Sequence, residues 1–133
     1  MKIVQFTFDP NENNNNFEDI QNMVIYTGSH DNQTIRGWYL SQNKKTQNGI
    51  RKSLRKSGYD DRIISRRFVR LTLDSIADMA ILPLQDLINL SDEARINTPG
   101  TLGSPNWEWK LNSFSKFKKE ICNIKEFIIA SRR

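Results

Sequence analysis

The chain has 133 residues and a net charge of +5, and this length fits one domain of ordinary size. Leu, Ile, Val and Phe make up about a quarter of the residues, which with so small a net charge excludes a wholly disordered polymer. The longest apolar runs have four residues, far fewer than the ~20 that cross a bilayer. Because the sequence also shows no signal peptide, we expect a cytoplasmic protein that does not contact membranes.

Three apolar runs predict strands. Residues 2–8 are rich in β-forming side chains. Residues 23–27 hold a short apolar run closed by Gly28, and residues 77–82 are a further candidate ended by Pro83; both are typical of strands that are buried on both faces. Such strands, separated by helical patterns, indicate parallel βα units and an α/β fold. Each unit takes about 30 residues or more, so the chain holds about three. A (β/α)8 barrel takes ~250 residues and would be incomplete here.

Helical patterns lie between and after these strands. Residues 112–130 show the clearest one, with apolar side chains three or four positions apart and lysines opposite them. Asp60 or Asp61 is expected to cap a helix in which Ile64 and Phe68 share a face. Further helices are predicted for residues 34–40, 50–56 and 85–89.

Positive charge is concentrated in residues 41–70, which carry a net charge of +8. A basic block attracts phosphate, so a small nucleic-acid-binding protein is one interpretation. The aromatic residues inside the block are Tyr59 and Phe68, and they do not alternate with its basic residues as stacking platforms do. We therefore favour solvated faces of two surface helices and expect no nucleic acid as a partner.

The densest group of polar side chains is at residues 26–32, Tyr-Thr-Gly-Ser-His-Asp-Asn, where the second predicted strand ends. Barrel enzymes place catalytic groups at this end of their strands. Asp31 offers a carboxylate, His30 an imidazole and Asn32 an amide, a set suited to a ligand with many hydroxyls. A simple turn explains the same residues equally well. Since the chain has one histidine and one cysteine, Cys122, no metal site, catalytic triad or internal disulfide is predicted.

Two further polar segments follow the third predicted strand. The first comes directly after Pro83, where side chains can line a cleft. The second is rich in turn residues and contains two tryptophans, which either stack on sugar rings or anchor the segment on the core; we expect at least one to anchor it. The candidate binding residues in these segments are Gln85, Asp86, Asn97, Asn106 and Trp107.

Four motifs, at residues 26–38, 80–87, 95–101 and 106–109, carry a resemblance to a known family. The first is similar to the segment Tyr-Thr-Gly-Thr-His-Asp-Asn with the Thr, Gly and Trp that follow it, and the second to Ala-Ile-Ile-Pro-Leu-Gln-Asp-Leu. The third resembles R-x-N-x-P-G-T and the fourth N-W-x-W. Together they resemble the 4-alpha-glucanotransferases of glycoside hydrolase family 77, also called amylomaltases or disproportionating enzymes, in order and spacing over nearly the whole chain.

The resemblance implies both a fold and an activity. Family members are retaining enzymes on a (β/α)8 barrel that transfer alpha-1,4-glucan segments between maltooligosaccharides by double displacement, without a cofactor or metal. Residues 1–133 would form the C-terminal part of that barrel, about three βα units. In it residues 2–8 would be strand six, 23–27 strand seven, 77–82 strand eight and 112–130 the closing helix.

The resemblance also implies roles for single residues. Asp31 matches the carboxylate that stabilises the transition state through hydrogen bonds to the 2-OH and 3-OH of the distorted sugar, and His30 matches a histidine that contacts the same sugar. The nucleophilic Asp and the acid/base Glu have no counterpart in this chain, so the chain alone is expected to be inactive. The implied substrate-binding residues are His30, Asn32, Gln85, Asp86, Asn97, Asn106 and Trp107.

The partners expected from the resemblance are maltooligosaccharides and other alpha-1,4-glucans. The missing N-terminal part of the barrel, or a second copy of this chain, is a further expected partner. The alternative function is a non-catalytic carbohydrate-binding or interaction module that derives from the same enzyme and keeps half of its cleft. A nucleic-acid-binding protein ranks far below both.

Overall fold

The computed structural model describes residues 1–9 and 21–133. Three parallel strands, β1 (Lys2–Ile3), β2 (Val24–Tyr26) and β3 (Met79–Ile81), form a sheet in that order. Parallel neighbours need crossover connections, and helices between β2 and β3 provide one. The α/β fold class predicted from the sequence is therefore confirmed. The helices are α1 (Val4–Thr7), α2 (Ile35–Ser41), α3 (Lys44–Lys56), α4 (Ile64–Leu73), α5 (Leu84–Leu87) and α6 (Ser115–Ala130), with a 3-10 turn at Asp92–Ala94.

The first strand is much shorter than predicted. Strand β2 lies within the predicted range 23–27 and β3 within 77–82, but only two residues of the range 2–8 form a strand. The chain continues as helix α1, whose Val4 is fully buried, and Phe8 then packs edge-on against Phe68 with ring centroids 5.2 Å apart. Packing into the core thus overrides the β propensity of this segment.

Two helix starts also differ from the prediction. Helix α3 begins six residues before the predicted residue 50, because the side chain of Asn43 accepts a hydrogen bond from Thr46 N at 2.9 Å and caps it. Neither Asp60 nor Asp61 caps α4, whose N-cap residue is Ile63. Asp61 Oδ1 instead accepts from Ile63 N at 2.8 Å, one residue before the helix. The final helix, predicted from residue 112, begins at Ser115.

One face of the sheet is covered and the other is open. Ile25 of β2 is fully buried against the helices, and its register partner Ala80 packs on the same core cluster. Side chains alternate along a strand, so the neighbouring residues point to the other face. The prediction that β3 is buried on both faces is wrong, because Met79 and Ile81 are exposed on this second face. We call this surface the open face; it carries Val24, Tyr26, Met79 and Ile81.

Helices α2, α3 and α4 form the layer behind the sheet. Trp38 of α2 packs edge-on against Phe68 of α4 with ring centroids 5.9 Å apart, and both rings belong to the main core cluster. Helix α6 has no fully buried residue. It is attached through Phe117, which packs on a second apolar cluster, and through an ion pair in which Arg66 Nη2 lies 2.8 Å from Glu120 Oε2.

The basic block is partly structural. Most lysines and arginines of α3 are exposed, as predicted for a solvated helix face, whereas Gln47, Ile50 and Leu54 face the core. Arg67 of α4 departs from the prediction, because its side chain is buried and donates hydrogen bonds to the backbone oxygens of Asp61 and Arg51. These backbone oxygens need hydrogen-bond donors, which explains why the charged side chain of Arg67 is buried here. Within the described residues, no helix is long and apolar enough to span a membrane.

Candidate functional site

Asp31 lies at the centre of a small polar network at the carboxyl end of β2. Its Oδ1 accepts a hydrogen bond from Asn97 Nδ2 at 2.7 Å and lies 3.3 Å from His30 Nε2. The backbone amide of Asn97 donates to the carbonyl of His30 at 3.1 Å. Side chains that are 66 residues apart in sequence therefore meet, and the carboxylate of Asp31 is held in one orientation although 47% of the side chain is exposed.

Arg95 joins the two segments of this network. Its Nη2 donates to the backbone oxygen of Asp31 at 2.8 Å, and its Nε donates to that of Asn97 at 2.9 Å. We did not select Arg95 from the sequence as a site residue, although the Arg-x-Asn spacing of the third motif places it beside Asn97. The guanidinium of Arg95 thus positions the residues that carry the carboxylate and the amide.

The turn that presents Asp31 is closed by Asn32. Asn32 Oδ1 accepts from the backbone nitrogen of Ser29 at 2.8 Å and from its hydroxyl at 2.7 Å. Hydrogen bonds of this kind, from a side chain to the backbone nearby, stabilise tight turns. Residues 26–32 therefore form a tight turn and also carry the candidate site residues, so the two interpretations of this segment do not exclude each other.

Asp86 holds both ends of the segment that carries Asp31. Its carboxylate accepts from Thr27 Oγ1 at 2.5 Å and from Ile35 N at 2.8 Å, and the residue is only 2% exposed. Burial raises the pKa of Asp86 to about 6, against the opposing effect of the hydrogen bonds from Thr27 and Ile35. Gln85 is buried beside it and donates to the backbone oxygen of Ala94 at 3.2 Å.

Asp92 adds a second carboxylate at the start of α2. Its side chain accepts from Gln33 Nε2 at 2.5 Å and from Thr34 N at 3.2 Å. It comes so close to the helix that a Cβ at Gly37 would lie 2.0 Å from Asp92 Oδ1. Glycine at position 37 therefore leaves the space that the Asp92 carboxylate occupies, and any larger residue would have to displace it. No local pattern in the sequence predicts this contact, because Thr34 and Asp92 are 58 residues apart.

A cavity of about 360 Å³ opens beside this network. His30, Asn32, Gln85 and Asp86 all contribute to its lining, so four of the residues selected from the sequence border one space. The cavity also extends to the open face. Its other lining residues include Tyr26, Ile81, Pro83, Leu84 and Arg95.

The two tryptophans have different environments. Trp107 is 65% exposed, and its ring centroid lies 5.1 Å from that of His30 with a tilt of 38°. Trp109 packs against the cluster of Ile88, Leu90 and Ala94, which confirms that one tryptophan anchors the segment. Asn106 lies inside its own loop, where its Oδ1 accepts from Thr98 N at 2.8 Å.

These contacts place a half-exposed carboxylate, an imidazole and an exposed aromatic ring on one surface. Carboxylates bind hydroxyl pairs through charge-assisted hydrogen bonds, and an aromatic ring covers the apolar face of a pyranose. The arrangement therefore suits a sugar. The part of the chain that the structure describes holds no group of three His, Cys, Asp or Glu side chains suited to a metal ion.

Residues 1–116 match the model of a protein family described as 4-alpha-glucanotransferase. The chain belongs to the 4-alpha-glucanotransferase family. It is 36% identical over 121 residues to the chloroplastic/amyloplastic 4-alpha-glucanotransferase of Solanum tuberosum, a match that covers 88% of this chain and 20% of that protein. It is 37% identical over 131 residues to the 4-alpha-glucanotransferase of Clostridium butyricum, covering 92% of this chain and 25% of that one.

A solved structure shows the same architecture. The amylomaltase of Streptococcus agalactiae in complex with acarbose matches with a TM-score of 0.86 and 25% identity, over 100% of this chain and 27% of that protein. That enzyme is a (β/α)8 barrel, which confirms that the three parallel strands and their helices are part of an incomplete barrel. The chain thus spans 20% to 25% of the length of the two curated relatives described above.

Proposed function

We propose that this chain forms one wall of the active site of a 4-alpha-glucanotransferase, which transfers alpha-1,4-glucan segments between maltooligosaccharides with retention of configuration. The observation that carries the proposal is the carboxylate of Asp31, held by Asn97 at 2.7 Å on one side and open to solvent on the other. Such a group can accept hydrogen bonds from sugar hydroxyls without reorganising first. The relatives described above, and the acarbose complex of the S. agalactiae enzyme, support an alpha-glucan as the ligand.

Asp31 is proposed to stabilise the transition state. As the glycosidic bond breaks, the sugar ring gains oxocarbenium character, and its hydrogen bonds from the 2-OH and 3-OH to a carboxylate become stronger. An interaction that strengthens in the transition state raises kcat more than it improves binding. His30, 3.3 Å from the same carboxylate oxygen, is proposed to contact the same sugar.

Trp107 is proposed to bind a neighbouring sugar by stacking. Its exposed ring lies beside the ring of His30, so the two present a nearly continuous aromatic surface next to Asp31. The apolar face of a pyranose fits such a surface. Asn97 and Asn106 border this region, and their amides are engaged with Asp31 and with the loop of Thr98.

Asn32, Gln85 and Asp86 are proposed to assist binding by holding the loop. Each lines the cavity, yet hydrogen bonds within the protein engage Asn32 Oδ1, Gln85 Nε2 and both carboxylate oxygens of Asp86. Their contribution is then to fix the position of Asp31 against the sugar. A displacement of about 1 Å in such a loop lowers turnover by up to ~100-fold.

The covalent steps need two further carboxyl groups. Retaining transfer uses a nucleophilic carboxylate that bonds to the anomeric carbon and a carboxylic acid that protonates the leaving oxygen, then removes a proton from the acceptor hydroxyl. No residue of this chain corresponds to either one. We propose that both come from the rest of a family barrel, while this chain binds the sugar and stabilises the charge that develops on it.

A chimera tests this proposal. The part of the C. butyricum enzyme that matches this chain is replaced by the chain itself, and the release of glucose from maltotriose is measured. We expect an active chimera in which Asp31→Asn lowers kcat by about 10²–10³ while maltotriose affinity changes by a few-fold. Asp74→Asn, which removes an exposed carboxylate at the end of α4, serves as the control. A folded but inert chimera, or full activity of Asp31→Asn, contradicts the proposal.

A non-catalytic carbohydrate-binding module is the second candidate. The exposure of Trp107 beside His30 favours it, because stacking and hydroxyl binding need no nucleophile. It predicts that the isolated chain binds acarbose, that Trp107→Ala removes this binding, and that the chimera has no transferase activity. Saturation-transfer NMR with acarbose, together with the chimera assay, separates the two functions.

A further inference from the structure

The backbone of Trp107 adopts a conformation that bulky residues rarely take. Its φ angle is 64°, in the left-handed region, where a side chain crowds its own backbone. A residue keeps such a conformation only where its surroundings fix it, and residues of this kind cluster at sites that bind ligands. In this conformation the exposed ring of Trp107 lies 5.1 Å from the ring of His30. The groups that fix the backbone here therefore bear on the proposed sugar site.

The loop that precedes Trp107, residues 98–106, is closed at its base. We call it the site loop. The backbone nitrogen of Trp107 donates to the carbonyl of Ile96 at 2.7 Å, which brings the two ends of the loop together. Ile96 is followed by Asn97, whose amide holds the carboxylate of Asp31. The base of the site loop thus connects the tryptophan with the network around Asp31.

The side chain of Asn106 spans the site loop. Its Oδ1 accepts from Thr98 N at 2.8 Å, and its Nδ2 donates to Thr101 Oγ1 at 2.8 Å and lies 3.4 Å from Thr101 O. Both ends of the amide are therefore engaged inside the loop. Asn106 directly precedes Trp107, and the peptide plane between them is the reference for the φ angle of Trp107. By fixing this plane, the amide of Asn106 restricts where the indole ring can point.

We propose that Asn106 is a positioning residue for Trp107: its side chain closes the site loop, and the closed loop holds the indole ring beside His30 for stacking on a sugar. This deepens the proposed function, on which it rests for the ligand, an alpha-1,4-glucan. Asn106 then acts through the ring of Trp107 and does not contact the sugar. Its Nδ2, the donor that a sugar hydroxyl would need, is engaged with Thr101.

A double-mutant cycle in the chimera described above tests the inference. Titration calorimetry measures acarbose binding by the parent chimera, by Asn106→Ala, by Trp107→Ala and by the double variant. We expect each single substitution to weaken binding by roughly tenfold, because each removes the stacking contact. The kcat for maltotriose should stay within about twofold, since stacking binds the ground state and the transition state alike. The double variant should bind as Trp107→Ala does, because no ring is left to position.

Two further variants and a structural measurement separate positioning from a general loss of structure. Asn106→Asp keeps the acceptor for Thr98 N and loses the donor to Thr101, so its affinity should lie between those of the parent and Asn106→Ala. Hydrogen exchange at the amides of Thr98 and Trp107 should be faster in Asn106→Ala than in the parent. The matched control is Asn48→Ala, which changes an exposed asparagine of α3 and should leave acarbose affinity unchanged.

The possible results differ clearly. Unchanged binding by Asn106→Ala would overturn the inference, and so would losses that add in the double variant, because Asn106 would then contact the sugar itself. A fall in kcat as large as that of Asp31→Asn would also overturn it, since the substitution would then disturb the carboxylate of Asp31. A parent chimera that binds no acarbose would overturn the inference and the proposed function together. The expected binding pattern in a chimera that transfers no glucan would leave the inference standing and contradict the proposed function.

Discussion

Asp86→Asn should change how the stability of the fold depends on pH. Asp86 is almost completely buried and binds Thr27 and Ile35 at the two ends of the segment that carries Asp31. Asparagine has nearly the same shape and carries no charge. Its Oδ1 can still accept from Ile35 N, and its Nδ2 can donate to the hydroxyl of Thr27. The substitution therefore removes the ionisation and keeps the contacts.

The sign follows from the raised pKa of Asp86. Burial lifts the pKa of this carboxyl from 3.8 to about 6, so between these values the folded chain holds a proton that the unfolded chain releases. The free energy of unfolding is then highest below the ordinary pKa and falls as the pH rises through this window, levelling off above it. The full difference corresponds to about 3 kcal/mol, of which about 2 kcal/mol lies between pH 4 and pH 7.

Urea unfolding at a fixed protein concentration, followed by tryptophan fluorescence at several pH values, measures this effect. The difference in unfolding free energy between the chain and Asp86→Asn should shift by about 2 kcal/mol in favour of the variant from pH 4 to pH 7. Asp74→Asn shows what the loss of an exposed charge does by itself. A difference that stays constant over this range would refute the reasoning, because the ionisation of Asp86 would then be no less favourable in the folded chain.

Three further outcomes are expected. Gly37→Ala should destabilise the fold by about 1–3 kcal/mol, because the added carbon would meet the carboxylate of Asp92. Gly49→Ala should instead stabilise α3 by roughly 0.5–1 kcal/mol, since nothing lies within 4 Å of the added carbon. Urea unfolding of the two variants measures both effects. The isolated chain should release no glucose from maltotriose above a buffer control, since Asp31 cannot act as both nucleophile and proton donor; release that Asp31→Asn abolishes would contradict this. The isolated chain should elute as a dimer or soluble aggregate, and a monodisperse 15.6 kDa monomer with a sharp unfolding transition would contradict that.

The strands and long helices could be predicted because their signals are local. A short apolar run closed by glycine or proline located β2 and β3 to within one or two residues, and the spacing of apolar residues located α6. The prediction of a strand over residues 2–8 was wrong beyond Ile3, because the β-forming residues that follow belong to helix α1 and pack against the core. The exposure of β3 could not be predicted from its composition. An apolar strand has the same sequence pattern whether or not other strands and helices cover both of its faces.

The sequence predicted which candidate residues lie close together better than it predicted what each of them contacts. Order and spacing of four motifs identified Asp31, His30 and Asn97, and the structure brings these three together. The interior role of Asp86 was not visible, because its hydrogen-bond partners Thr27 and Ile35 are 59 and 51 residues away. Contacts at such separations depend on how the strands are ordered in the sheet, which no local pattern encodes.

The position of Asp31 is determined by the unit that follows β3. Asp86 and Asp92 hold the start of α2, while Arg95 and Asn97 hold Asp31 itself. All of these groups belong to this chain, so the carboxylate needs no outside contact to reach its orientation. Near the site, by contrast, apolar side chains stay exposed on β3 and at the ring of Trp107. The geometry therefore separates two tasks: the described residues orient Asp31 by themselves, whereas under the proposed function the covering strands and the two reacting carboxyl groups belong to the rest of a family barrel.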